Sequence, residues 1–222
     1  PGLSKDDPLI DINKGSVIGS GTMGGGIAMC FANAGIPVRL HDNNAENLAK
    51  GLKVIEGNYA RTVSKGRLTQ EAMDKRMSLI IPTENFDDLG DADVVIEAVY
   101  ENLDLKKEIF AKLDKVMKPG ALLATNTSGL DVDAIANMTS RPEFVCGMHF
   151  FSPANVMRLL EVVRGDASSP ATLGTAMALG KRLGKVSVMA GNCPGFIGNR
   201  MIGGYSRQAS TMILEGAKPA DV

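Results

Sequence analysis

The sequence predicts a doubly wound α/β fold: a mostly parallel Rossmann-type sheet between helix layers, followed by the start of an all-helical domain. Three observations predict it. Short apolar runs rich in Val and Ile alternate with amphipathic helical stretches along most of the chain. The stretch from Asp93 to Val99 carries the continuous apolar run Val94-Val95-Ile96 without alternation, as in a strand covered on both faces. A glycine cluster, Gly19-Ser20-Gly21-Thr22-Met23-Gly24, separates the first apolar run from the first helical stretch.

The elements follow in order. Residues 1–13 carry two Pro and no periodicity, and read as a linker. Ser16-Val17-Ile18 is a strand, Met23 to Ala34 a helix stopped by Gly35, and Pro37 to His41 a second strand, which completes a βαβ unit. Ala45 to Lys65 is a long helix with Leu48, Leu52, Ile55 and Tyr59 at helical spacing. Thr69 caps a short helix through Arg76. Leu79-Ile80-Ile81 is a strand stopped by Pro82. Leu103 to Met117 is amphipathic, with Ile109, Phe110, Leu113 and Val116 on one side, and ends at Lys118-Pro119-Gly120. Ala121 to Thr125 is a buried strand and Asp131 to Met138 a short helix. Phe144 to Phe150 and Leu159 to Val163 are strands. Ser169 to Leu183 is a helix closed by Gly184, and Val186 to Met189 is a last strand. Ile197 to Glu215 is a helix with Met201, Ile202, Tyr205, Ala209, Met212 and Ile213 on one stripe. The domains expected are a linker over 1–13, a dinucleotide-binding domain over 14–190, and the first helix of a further helical domain over 191–222.

Composition narrows the function classes. Lys and Arg number 24 and Asp and Glu 25 among 222 residues, so the net charge of −1 argues against a protein built to coat nucleic acid or an anionic membrane. Apolar residues make up 44% and charged residues 22%, ordinary for a globular chain. No apolar run reaches the roughly 18 residues of a membrane span. Cys30, Cys146 and Cys193 form no CxxC pair, which argues against a disulfide framework or a structural metal. They point instead to a reducing compartment, taken as the cytoplasm, and leave an organelle such as the peroxisome open. The 12 Met read as core filler, with those on the last helix facing a further partner.

The glycine cluster fits GxGxxG in the context that gives the motif meaning. Gly19 permits the tight turn, Gly21 lets the backbone approach a pyrophosphate, and Gly24 lets helix and strand pack closely. The helix start then offers free N–H groups to phosphates. The second strand ends in Asp42, 18 residues after Gly24. An acid there accepts from the ribose hydroxyls and repels a 2′-phosphate, so the cofactor expected is NAD rather than NADP. Gly19, Gly21, Thr22, Met23, Gly24, Asp42, Ala98 and Val99 are the candidate cofactor-binding residues, and no metal site is expected. The other reading is a structural βα turn with a solvated Asp.

Hydride transfer from an alcohol needs a group to take the hydroxyl proton, and His is suited to it near neutrality. The chain has two, His41 and His149. His41 lies at the adenosine end. His149 ends a later strand, where doubly wound sheets hold their ligands. Glu161 follows by 12 residues with Pro153 between, so a return strand brings it beside the imidazole, where a carboxylate would fix the tautomer. Spacing alone leaves a buried core histidine as the other reading.

Five ordered motifs give a specific resemblance. Val17-Ile18-Gly19-Ser20-Gly21-Thr22-Met23-Gly24, Glu97-Ala98-Val99-Tyr100-Glu101-Asn102, Asn126-Thr127-Ser128, His149-Phe150-Phe151-Ser152-Pro153 and Cys193-Pro194-Gly195-Phe196-Ile197-Gly198-Asn199-Arg200 resemble the L-3-hydroxyacyl-CoA dehydrogenases of fatty acid β-oxidation, from Ser16 to the C-terminus. The resemblance implies oxidation of a 3-hydroxyacyl-CoA to the 3-ketoacyl-CoA with NAD. It implies His149 as base, Glu161 as its orienting carboxylate, Ser128 and Asn199 as catalytic and substrate-holding groups, and Glu101, Lys106 and Asn126 around the nicotinamide half of NAD. Ser152 and the run through Val163 are similar to multifunctional members of the family, in which a hydratase/isomerase half precedes the dehydrogenase. Gly129 departs from the usual Ser or Thr.

The implied partner is an acyl-CoA, with no nucleic acid and no membrane span. A homo-oligomer, or a place in a longer chain with a hydratase half, is expected, and the chain reads as the middle piece of such a protein. Lys53, Lys65 and Arg67 are candidates for the CoA phosphates, or simply a solvated helical face. Two rivals remain open: another NAD-linked β-hydroxyacid dehydrogenase, which would use a Lys base, and a non-catalytic NAD-binding relative.

Overall fold

The computed structural model describes Ser4 and residues 7–222. The first βαβ unit is β1 (Gly15–Ile18), α1 (Thr22–Asn33) and β2 (Val38–His41). Next come α2 (Ala45–Ser64), α3 (Gln70–Ser78), β3 (Ile80–Thr83), β4 (Val94–Glu97), α4 (Leu103–Val116) and β5 (Leu122–Thr125). The remainder comprises α5 (Val132–Ala136), β6 (Val145–Phe150), β7 (Leu159–Arg164), α6 (Pro170–Arg182), β8 (Val186–Gly191) and α7 (Gly198–Leu214). These match the sequence reading within a few residues at each end.

One sheet holds all eight strands in the order β3-β2-β1-β4-β5-β6-β7-β8. Every neighbouring pair is parallel except β6 and β7, which are antiparallel. The 3-2-1-4-5-6 portion is the doubly wound arrangement with its switch point between β1 and β4, where such sheets open a ligand crevice.

The apolar strands explain the layers. In β4, Val94 and Ile96 enter one core with α1 and α6, while Val95 enters another with Ile109, Phe110 and Leu113 of α4. A strand buried on both faces has no use for alternating polarity. At roughly 1.5–3 kcal/mol for each large apolar side chain buried, these three α4 residues favour docking of that helix on the sheet.

One expectation is corrected. Pro82 does not stop its strand: β3 continues through Pro82, opposite Leu40, to Thr83. As an edge strand, β3 has no neighbour on its outer side to miss a donor. The expected linker is only partly described, since residues 1–3, 5 and 6 lie outside the described residues. Its later part is fastened to α6. Ile10 N–H donates to Thr175 Oγ1 at 2.9 Å, Arg182 Nη1 donates to the Ile12 carbonyl at 2.7 Å, and Ile12 is buried.

No residue of α7 is buried, and Met201, Ile202, Tyr205, Met212 and Ile213 are exposed along its expected stripe. Only its first turn bears on the rest of the chain's chemistry, through the contacts described next.

Candidate active site

Most helix starts in this chain are closed by their own N-cap side chain. Asn44, Thr69, Asn102, Asp131 and Ser169 each accept from an amide in the first turn of α2, α3, α4, α5 and α6. The starts of α1 and α7 have no such cap. An open helix start leaves N–H groups and positive dipole for another acceptor, and these two starts mark the two ends of the site.

The start of α1 opens on a cavity of about 750 Å³. Gly19, Gly21, Thr22, Asp42, Ala98 and Val99 line it. Gly19 turns with φ +97°, which a side chain would disfavour, and a Cβ on Gly24 would meet the Gly19 carbonyl oxygen at 1.7 Å. A Cβ on Gly21 would meet nothing within 4 Å, which leaves the backbone open to approach by a ligand. The three glycines thus divide their roles as the motif requires, and the cradle fits a dinucleotide. Asp42 Oδ2 accepts from Ser20 N–H at 3.0 Å and Ser20 Oγ at 2.7 Å, which locks the loop to the end of β2. Met23 is different: its side chain packs against the main core and does not line the cavity.

One loop support carries no motif in sequence. Gly51, in the middle of α2, brings that helix against the glycine loop, and a Cβ there would lie 2.3 Å from the Ser20 carbonyl oxygen. A glycine inside a long helical pattern is the signal that could have found it, but Gly57 on the same helix carries the same signal with open space around it.

The start of α7 is occupied by Glu161. Its Oε1 accepts from Ile197 N–H at 3.0 Å and Gly198 N–H at 2.7 Å. Its Oε2 lies 2.7 Å from His149 Nδ1. A carboxylate only accepts, so Nδ1 carries the proton and Nε2 is left for chemistry. The antiparallel pairing of β6 with β7 puts His149 directly opposite Glu161 in register. Glu161 is 0% and His149 5% exposed. The imidazole is flanked by Phe151, with ring centroids 4.5 Å apart, and by Phe196 at 5.7 Å.

Phe196 was not singled out in sequence. It is buried with Val132, Val163 and Ala190, and its φ of 46° is unusual for a non-glycine residue. Such a conformation costs about 1–3 kcal/mol and persists where the surroundings over-determine it. Burial of the ring offsets that cost, and the turn it forces aims the next two amides at Glu161.

The first turn of α7 also reaches the Asn126-Thr127-Ser128 loop. Asn199 Nδ2 donates to the Ser128 carbonyl at 3.3 Å. Gly129 is where the loop meets the Cys193-Pro194-Gly195 turn: a Cβ there would stand 2.9 Å from the Gly195 nitrogen. Glycine in place of Ser or Thr therefore follows from packing. Asn126 Oδ1 accepts from Phe150 N–H at 2.8 Å and ties the loop to the end of β6 beside His149.

Glu101 holds the other side of that loop. Its Oε1 accepts from Thr127 Oγ1 at 2.7 Å, Ser128 N–H at 2.7 Å and Ser128 Oγ at 3.0 Å. Its Oε2 is 3.4 Å from Lys106 Nζ. Burial works to raise its pKa, but the hydrogen bonds from Thr127 and Ser128, with the Lys106 charge, outweigh it and hold the carboxyl below its ordinary range. His149, Glu161, Ser128, Asn199, Asn126, Glu101 and Lys106 thus form one connected cluster at the carboxyl ends of β4, β5 and β6. None of them lines the large cavity. Lys53, Lys65 and Arg67 are exposed, away from this cluster's hydrogen bonds.

Fold and site together define the dinucleotide-binding domain of a dehydrogenase. The family model for the 3-hydroxyacyl-CoA dehydrogenase NAD binding domain matches residues 14–193. The chain belongs to the 3-hydroxyacyl-CoA dehydrogenase family and carries its NAD-binding domain. The peroxisomal bifunctional enzyme of Danio rerio is 47% identical over 212 residues, covering 96% of this chain and 29% of that protein. The human peroxisomal bifunctional enzyme is 46% identical over 211 residues, with 95% and 29% covered. Among solved structures, M. tuberculosis FadB2 matches with a TM-score of 0.92 at 36% identity, covering 95% of this chain and 75% of that one. The (S)-3-hydroxybutyryl-CoA dehydrogenase PaaH1 from Ralstonia eutropha matches at 0.93 and 35% identity, with 96% and 75% covered. The chain spans under a third of the length of its curated relatives.

Proposed function

We propose that this chain performs the NAD-dependent oxidation of L-3-hydroxyacyl-CoA to 3-ketoacyl-CoA in fatty acid β-oxidation. The observation that carries this reading is the His149–Glu161 pair, closed by the start of α7 and joined through Asn199 to Ser128. When bound, NAD supplies the hydride acceptor. His149 Nε2 takes the 3-hydroxyl proton, while Glu161 holds the ring and stabilises the imidazolium that forms. Ser128 and Asn199 orient the oxygen and thioester end of the substrate. Gly19, Gly21 and the open start of α1 take the pyrophosphate, and Asp42 the adenine ribose. Glu101, Lys106 and Asn126 shape the nicotinamide end.

The domain reading is a dinucleotide-binding unit over 14–190 and the opening of a helical domain over 191–222. The exposed stripe of α7 supports it. The chain acts as part of a longer multifunctional protein with a hydratase half, in a peroxisome or a bacterial cytoplasm. Relatives named peroxisomal bifunctional enzyme and fatty acid oxidation complex subunit alpha support the multifunctional reading, and the first of them the peroxisome. Among the described residues no helix is long and apolar enough to cross a membrane.

The test is NADH consumption with acetoacetyl-CoA, run beside a panel of small hydroxyacids and their keto forms. Turnover confined to the CoA thioester is expected. NADH binding with no turnover on any substrate would overturn the reading.

A further inference from the structure

Glu97 ends β4, is 0% exposed, and belongs to neither the cavity lining nor the His149 cluster described above. Its carboxylate is nonetheless fully engaged. Oε1 accepts from Val99 N–H at 2.8 Å and from Lys106 Nζ at 2.7 Å. Oε2 accepts from Thr125 Oγ1 at 2.8 Å. Lys106 is 1% exposed, so the pair is an ion pair in the protein interior. Apolar residues of similar volume would stabilise this place at least as well, because taking both charges out of water offsets most of their attraction. The arrangement therefore calls for a reason other than stability.

The partners supply one. The Lys106 ammonium sits between Glu97, which it meets closely, and Glu101 Oε2 at the longer 3.4 Å. Glu101 in turn holds both the amide and the hydroxyl of Ser128. Ser128 passes the constraint to Asn199. Val99 N–H, the third group on Glu97, belongs to the crevice wall at the end of β4. One buried carboxylate thus fixes the crevice backbone, the β5 end at Thr125, and the ammonium that anchors the substrate loop. If the charge on Glu97 is lost, Lys106 has a single carboxylate left, Glu101. A closer Lys106–Glu101 contact draws Glu101 away from Ser128.

We propose that Glu97 is a positioning residue for the nicotinamide and substrate end of the site, acting through Lys106 and Glu101. This rests on the proposed function only in what Ser128 and Lys106 hold. The relay itself stands on the hydrogen bonds.

The experiment compares wild type with Glu97→Gln, Lys106→Met, the double variant, and the milder Thr125→Val. It measures NADH and ADP-ribose dissociation constants, melting temperature, and turnover of acetoacetyl-CoA. ADP-ribose lacks nicotinamide and reports on the adenosine half alone. Glu97→Gln is expected to weaken NADH at least about fivefold with ADP-ribose within about twofold, and to lower kcat more than it raises KM. The double variant should be no worse than the worse single, the mark of groups acting as one network. Thr125→Val should move the same quantities in the same direction by less, and it carries the test if Glu97→Gln fails to fold. Equal losses for NADH and ADP-ribose, additive single effects, or unchanged NADH binding in Glu97→Gln and Thr125→Val would each overturn the proposal. If wild type turns over no thioester, the proposed function falls while the binding comparison still decides the relay.

Discussion

The amide of Gly198 stands 2.7 Å from Glu161 Oε1, so the carboxylate that holds His149 also closes the first turn of α7. One side chain serves the proton chemistry and the attachment of a helix. Its two oxygens divide the work, Oε2 toward the imidazole and Oε1 toward the backbone.

That division separates two substitutions. His149→Gln removes the base and leaves the α7 contact, so kcat should fall by about 10²–10⁴ with melting temperature nearly unchanged. In Glu161→Gln the amide NH2 must face either the Nδ1–H or the two backbone N–H groups, and a donor facing a donor breaks one side. A comparable fall in kcat is expected, now with a lower melting temperature and with NADH affinity within about twofold. Steady-state kinetics, thermal melting and NADH fluorescence read the three quantities.

Asp42→Asn tests the adenosine end. Asp42 holds the glycine loop through Ser20 in addition to its proposed ribose contact. Losing a charged acceptor there should weaken NADH by about tenfold, roughly 1.4 kcal/mol. The preference over NADPH should narrow, since the repulsion of a 2′-phosphate goes with the charge. Competitive titration of the two reduced cofactors measures both effects.

Two glycines on α2 make opposite predictions. Gly57 has open space where a Cβ would stand, so Gly57→Ala should raise stability by about 0.5–1 kcal/mol and leave NADH binding alone. At Gly51 the same change drives a Cβ into the Ser20 carbonyl, which is backbone and cannot swing away. Gly51→Ala should lower the melting temperature and weaken NADH. Paired melting curves with and without cofactor check this.

His41 gives a pH signature. Burial pushes its imidazole pKa below the usual 6.5, against the opposing pull of Asp42, the Glu84 backbone and Asp88. The unfolded chain therefore binds the proton more readily than the folded one. The stability this group contributes is complete above about pH 6.5 and is lost as pH falls toward the folded pKa. The melting temperature of His41→Leu should fall less over that acid interval than that of wild type, as calorimetry at a series of pH values would show.

The fold was legible because its signals are local. Val94-Val95-Ile96 reads as a two-faced strand, Gly19 and Gly24 as a turn and a close approach, and Thr69 precedes its helix as a cap does. Pro82 misled because edge position depends on strand order, which no local window contains. The dyad was half legible. The 12 residues from His149 to Glu161 permit a return strand, but whether the strands register those two side chains is settled only by pairing across the turn. Gly51, Phe196 and Glu97 act through contacts with distant chain segments. Their residue types, a helical glycine, a buried ring and a strand-end acid, announce nothing alone.

The antiparallel reversal at β7 imposes an arithmetic condition on the chain. His149 meets Glu161 because their positions are equally distant from the turn between them, and alternate residues of a strand face opposite ways. A slip of one residue would set Leu160 or Val162 across from the imidazole and turn Glu161 toward the other helix layer. A slip of two would restore the facing side but not the partner. The segment 151–158 can therefore change its side chains freely where they touch nothing. Any change in its length must be absorbed as a bulge or loop before the strands meet.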